Sequence, residues 1–190
     1  MRDNFEENIH KLKNYVSNIF NGFNVCKSLQ KSEYNEVYNK DKYFWGITIY
    51  SLQREFLLEL AKIFEKREKN VLSVYHLLIF LPSEEKEKIN REINNHNCLI
   101  ENIKKLRNKI LAHHDIISAY EPQELFKKFP IKNNEVEELL NLLEKILGMI
   151  HSAGTKTGQS YSFRLIQENS KRYTENIINK LKIGYETERE

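Results

Sequence analysis

The sequence predicts an all-α fold, a single antiparallel bundle of about six helices. Three observations predict it. Apolar residues recur at alternating spacings of three and four along most of the chain, which is the period of a helix face and not of a strand. Only 6 Gly and 3 Pro punctuate 190 residues, too few for the many turns of an all-β domain. Hydrophobic residues at 40% and charged residues at 30% describe a folded chain with a real core and exclude a disordered one. This length suits one domain, residues 1–190.

Charge and cysteine usage narrow the class. A net charge of +3 permits an anionic partner without demanding one. Cys26 and Cys98 have no metal-like spacing and suit a reducing compartment. Met1-Arg2-Asp3 leads into an amphipathic pattern rather than a signal peptide's apolar core, and no apolar run approaches the roughly 20 residues that span a bilayer. The expectation is a cytoplasmic protein with no membrane contact.

The elements follow in order. Asp3 with Glu6 has the spacing of a capping box, and Phe5, Ile9, Leu12, Val16, Ile19 and Phe23 then mark a long helix. Gly22 is placed to kink it before Val25, Cys26 and Leu29 continue. Residues 31–42 are polar with scattered tyrosines and read as a connector. From Tyr43 to Lys66 comes the most apolar helix, with a stripe of Trp45, Ile49, Leu52, Phe56, Leu60 and Ile63, widened by Leu57, Ala61 and Phe64. Its aromatics are expected in the core. Asn70 and Ser73 are candidate caps for a short helix through Val74, Leu77, Leu78 and Leu81, stopped by Pro82.

Ser83, with Glu84 and Glu85, starts a helix expected to run unbroken to the neighbourhood of Asp115. Asn134 with Glu137 opens another, carried by Val136, Leu139, Leu140, Leu143, Ile146, Leu147 and Ile150. Residues 152–162 are rich in Gly, Ser and Thr and read as a flexible loop. A last helix over 169–182 presents Tyr173, Ile177 and Leu181, and 184–190 reads as a frayed tail.

One stretch carries chemistry: Leu106-Arg107-Asn108-Lys109-Ile110-Leu111-Ala112-His113-His114-Asp115. At about 100° per residue, Ile89, Ile93, Leu99, Ile100, Ile103, Leu106, Ile110 and Leu111 share one apolar face. Lys104, Lys105 and Lys109 point away from it, but Arg107 sits in its middle. A guanidinium aimed at buried surface needs a partner, a route to water or an anionic ligand. Two histidines, which titrate near neutral pH, follow where the helix should end.

That set suits RNA cleavage without a metal or cofactor. The 2′-hydroxyl of RNA is itself the nucleophile, so a histidine that moves protons and an arginine that holds the extra phosphate charge supply the main needs. Arg107 and His113 are the leading pair, with Asn108 orienting a phosphate oxygen or the histidine. Lys109, His114 and Asp115 are supporting candidates. Arg107 and His114 share a helix face at a spacing of seven, whereas His113 lies about 120° away. Unwinding at Ala112, pairing across a dimer, or a contribution from His114 would each resolve this.

Arg107-Asn108-Lys109-Ile110-Leu111-Ala112-His113-His114-Asp115 resembles the Arg-Asn-Lys-x-x-Ala-His-x-Asp signature of HEPN domains, and most of all their abortive-infection U branch. The resemblance extends upstream to Leu57, Glu59, Leu60, Ala61, Lys62, Ile63 and Phe64 and to Leu72-Ser73-Val74, and it favours His113 because the Ala-His-x-Asp frame selects it. It implies a HEPN-like bundle that forms a homodimer with a cleft holding two Arg/His sets. It further implies metal-independent endoribonuclease activity in a toxin or phage-defence effector, RNA as substrate, and a conceivable antitoxin partner. Other members are catalytically silent and bind a nucleotide or a partner protein.

Plainer roles stand beside these. Arg107 could bridge to Glu55, Glu59 or Asp115 in a simple helical interaction protein. His113 and His114 could serve only the helix end, where cations suit the dipole.

Overall fold

Helix is the only regular structure among the described residues of this computed structural model, which are 2–66, 72–112, 131–155 and 162–187, the side chains of 2–4 and 110–112 excepted. In chain order they form α1 (Arg2–Leu29), a 3-10 turn (Ser32–Tyr34), α2 (Asn35–Lys40), α3 (Lys42–Ile63), α4 (Val74–Leu78), α5 (Ser83–Asn95), α6 (Asn97–Ala112), α7 (Asn133–Thr155) and α8 (Arg164–Thr187). The all-α expectation holds. They fall into two compact units, Met1–Val16 with Leu57–Ser162, and Ser17–Phe56 with Phe163–Glu190. No helix among the described residues is long and apolar enough to cross a membrane.

The first unit is built on aliphatic stripes. Leu12 and Val16 of α1 and Leu60, Ala61 and Ile63 of α3 are buried, as the periodicity required. α5 packs on α6 and α7, and α4 packs on α7. Side-chain bridges tie α5 to α7: Lys145 Nζ lies 2.8 Å from Glu92 Oε2, and His96 Nε2 lies 3.2 Å from Glu138 Oε1. At the far end of α7 the backbone of Gly154 lies against the Phe5 ring, where a Cβ would come within 2.2 Å of ring carbons. Any larger residue there would have to displace the buried Phe5 ring.

Three expectations fail in this unit. The helix begun at Ser83 is not continuous: α5 ends at Asn95, and α6 restarts at Asn97 after His96, whose backbone sits at φ −109° and ψ 11°. His96 Nδ1 lies 2.9 Å from the Glu92 carbonyl, which lets the ring satisfy an end of α5. The start of α7 is capped two residues earlier than expected. The Glu135 carboxylate, rather than Glu137's, accepts the Lys132 backbone N–H at 2.7 Å. Ser73 does stand at the N-cap of α4, but its hydroxyl makes no capping hydrogen bond and its carbonyl accepts from His76 N at 3.1 Å; α4 ends at Leu78 instead of reaching Leu81. Asn70 lies outside the described residues.

The second unit is aromatic. Phe20 stacks on Phe163 at 4.6 Å between centroids, and Phe23 meets Phe56 edge-on at 5.6 Å. Leu29, Tyr34, Val37, Trp45 and Ile178 form a separate buried cluster. Gly22 does not break α1, which is helical throughout; a Cβ there would sit 3.3 Å from Phe56 Cβ, so the glycine serves close helix packing. Stretch 31–42 is a helical turn and a helix rather than an irregular connector, because Tyr34 and Val37 give it something to bury.

α8 is the largest departure. It runs from Arg164 to Thr187, beyond the expected 169–182 and into the expected tail. Its buried residues are Ser170, Thr174 and Ile178, while Tyr173 and Ile177 are each 58% exposed. Tyr43 and Phe44 of α3, expected in the core, are also exposed. The expected loop at 152–162 is helical as far as Thr155, and residues 156–161 lie outside the described set.

Candidate functional site

α6 places the candidate residues. Ile100, Ile103 and Leu106 are at most 2% exposed, and Arg107 follows Ile100 by seven residues on the same face. The Arg107 side chain is 14% exposed, so its charge needs a partner. Glu65 provides it. This residue lies just past α3, held by a turn in which Glu65 N donates to the Lys62 carbonyl at 3.0 Å. Arg107 Nη1 donates to Glu65 Oε2, whose side chain is 17% exposed.

The other edge of the guanidinium is held by its neighbour. Arg107 Nε and Nη2 both donate to Asn108 Oδ1, at 3.1 and 2.9 Å. These described contacts occupy three of the five N–H groups an arginine carries, leaving one on Nη1 and one on Nη2 for other acceptors among the described residues. Among the described residues, Glu65 is the carboxylate that meets the head group. A planar cation held on two sides with two further donors is suited to a phosphate oxygen pair.

Polar groups continue away from this point. Lys66, next to Glu65, holds its ammonium 5.5 Å above the Tyr75 ring of α4. Burial, then the Glu101 charge on α6, pushes the Tyr75 phenol above its ordinary value. Glu101 in turn pairs with Lys104 at 3.1 Å. Lys104 is therefore not on the open face with Lys105 and Lys109: its side chain is only 12% exposed, while those two are exposed. Its aliphatic stem lies along the helix surface and its ammonium finds a carboxylate. Among the described residues, no three His, Cys, Asp or Glu side chains form a group that could hold a metal ion.

Of the residues the sequence singled out, Arg107 and Asn108 are brought into contact, and Lys109 is an exposed neighbour. His113, His114 and Asp115 lie outside the described residues, so the candidate pairing of Arg107 with His113 or His114 does not figure in this geometry. Glu65 was missed. The signal for it was an arginine on an apolar stripe that lacked a carboxylate one turn away. Glu55 is exposed, and Glu59 is engaged by Lys62 at 2.5 Å.

Residues 4–177 match a family model of the HEPN group, described as AbiU2. No curated protein and no solved structure matches the chain. The match takes in both compact units and every element from α1 into α8. The chain therefore belongs to the AbiU2 family of HEPN proteins and is an abortive-infection-related HEPN module.

Proposed function

We propose that this protein is a metal-independent endoribonuclease that acts as a homodimer in abortive infection, as a toxin or phage-defence effector. The 2′-hydroxyl of RNA attacks the adjacent phosphorus, the P–O5′ bond breaks, and a cyclic phosphate and a free 5′-hydroxyl remain. His113 moves the proton from the attacking oxygen and supplies one to the leaving oxygen, help worth on the order of 10²–10⁴ in rate. Arg107 holds the charge that builds on the five-coordinate phosphate, and Asn108 fixes the guanidinium plane. The cytosol and an RNA substrate go with this proposal.

One observation carries it. In a member of this family, the motif arginine stands on α6 with its guanidinium hydrogen-bonded to Asn108 and Glu65 and with two N–H groups beyond its described contacts. RNA cleavage in EDTA by wild type, His113→Ala and Arg107→Ala tests it. Wild type should cut, and both variants should keep the wild-type circular dichroism spectrum while losing cleavage. Undiminished cleavage by folded His113→Ala would end the proposal.

A second reading is favoured by the Glu65 contact, which meets the arginine's charge inside one chain. On it, the module is catalytically silent and binds a nucleotide or a protein partner. It requires no RNA turnover by wild type, and binding that tolerates His113→Gln.

A further inference from the structure

We infer that Glu65 is a positioning residue for Arg107, and that the substrate phosphate enters between Glu65 and Asn108 at the two guanidinium N–H groups that have no contact among the described residues. This inference rests on the nuclease reading for its substrate but not for its geometry. Arginine reaches α6's apolar face on a long stem that has many rotamers in solution. A phosphate grip needs one plane and one edge, because two parallel N–H···O bonds form only when both donors face the ligand. Asn108 fixes the Nε/Nη2 edge at 3.1 and 2.9 Å, but it is exposed and next in sequence, so it travels with the same helix turn. Glu65 is the fixed point from elsewhere: it lies 42 residues away along the chain and is anchored just beyond the end of α3.

Placement has an electrostatic consequence. Glu65 offsets the arginine's charge before RNA arrives, so a resting phosphodiester, which carries one negative charge, gains little from the pair. Attack by the 2′-oxygen adds charge to the phosphate, and the fixed guanidinium favours that state over the resting one. Glu65 therefore trades binding of ground-state RNA for orientation in the reaction. Removing only its charge and removing its grip should then give different kinetic signatures.

The test compares Glu65→Gln and Glu65→Ala in the full chain. Glu65→Gln keeps an oxygen acceptor; KM for RNA should fall severalfold and kcat should stay within severalfold of wild type. Glu65→Ala frees the guanidinium; kcat should fall at least tenfold, with thermal unfolding used to confirm that the variant is folded at the assay temperature. A folded Glu65→Ala with wild-type kcat and KM overturns the inference. An independent readout is the ¹⁵N signal of the Arg107 Nε–H, assigned by its loss in Arg107→Lys. It should exchange slowly in wild type and Glu65→Gln and rapidly in Glu65→Ala. If wild type cuts no RNA but this signal behaves as stated, the nuclease reading fails and the positioning role stands. Slow exchange retained in Glu65→Ala would sink the positioning role whatever the enzyme does.

Discussion

α6 and α8 look alike as patterns and behave oppositely as structure. Both are amphipathic, and both carry polar residues on what looks like the apolar side. On α6 the stripe is buried and the misfit is accommodated: Ile100, Ile103 and Leu106 are shut away, and Arg107 is received by Glu65. On α8 the apolar stripe is left outside, with Tyr173 and Ile177 at 58% exposure and Leu181 at 36%. Small hydroxyl residues go inside instead. Ser170 Oγ donates to the Ile166 carbonyl at 2.8 Å and Thr174 Oγ1 to the Ser170 carbonyl at 2.7 Å, so neither brings an unmet polar group into its unit. The difference teaches that hydropathy period locates a helix, while its buried face is chosen by which polar atoms can be satisfied and how closely neighbours must approach.

The sharpest way to break that comparison is truncation on each helix. Leu106→Ala, at a site with no exposure, should destabilise the fold by about 2–5 kcal/mol. Ile177→Ala should cost no more than about 0.5 kcal/mol. Urea unfolding of both variants measures the gap. Equal losses would mean that the α8 stripe is covered in solution.

Ion pairs on the two helices should differ in the same direction. Arg107 and Glu65 are 14% and 17% exposed, whereas Arg164 and Glu168 on α8 are 82% and 56% exposed. A double-mutant cycle on the first pair should give a coupling of about 1–3 kcal/mol, because either single change strands a shielded charge. The α8 pair, though close at 2.8 Å, should give a far smaller coupling that vanishes in high salt. A smaller effect is expected inside the second unit. Ser170 Oγ also donates to Asn21 Oδ1 at 2.6 Å, so Ser170→Ala should cost about 1 kcal/mol by chemical denaturation.

Much of this was legible in the residues. The spacings in α1, α3 and α7 located those helices and their buried stripes, and Arg107 was identifiable as the misplaced charge on α6. Its partner was not, because Glu65 comes from a turn beyond a different helix and no local period points there. Ser170 and Thr174 were illegible as core for a related reason: their hydroxyls bond to carbonyls one turn back, which hydropathy cannot register. The break at His96 was hidden because Ile93 and Ile100 stay seven residues apart, a spacing that an unbroken helix would also produce. The cap of α7 was misplaced by competing acidic residues, of which only Glu135 stands three residues after the Lys132 N–H it accepts.

The weakest expected effect separates the units by pH. All six histidines fall within residues 1–16 and 57–162, the first unit, and the second unit's residues include none. His151 of α7 has its imidazole pKa pushed below the ordinary value, first by burial and then by Lys13, with Glu6 opposing. A lowered folded value means that the unfolded chain binds a proton first as pH falls. His151's contribution to stability is therefore whole above about pH 6.5, declines as pH drops toward the folded value, and levels off below it. Urea midpoints at pH 7.5, 6 and 5 should fall in that order, and His151→Gln should flatten the slope without shifting the midpoint at pH 7.5 by as much as Leu106→Ala does. An unchanged slope in His151→Gln would assign the pH dependence to other titrating groups, such as the Glu92 carboxylate that Lys145 holds below its ordinary value.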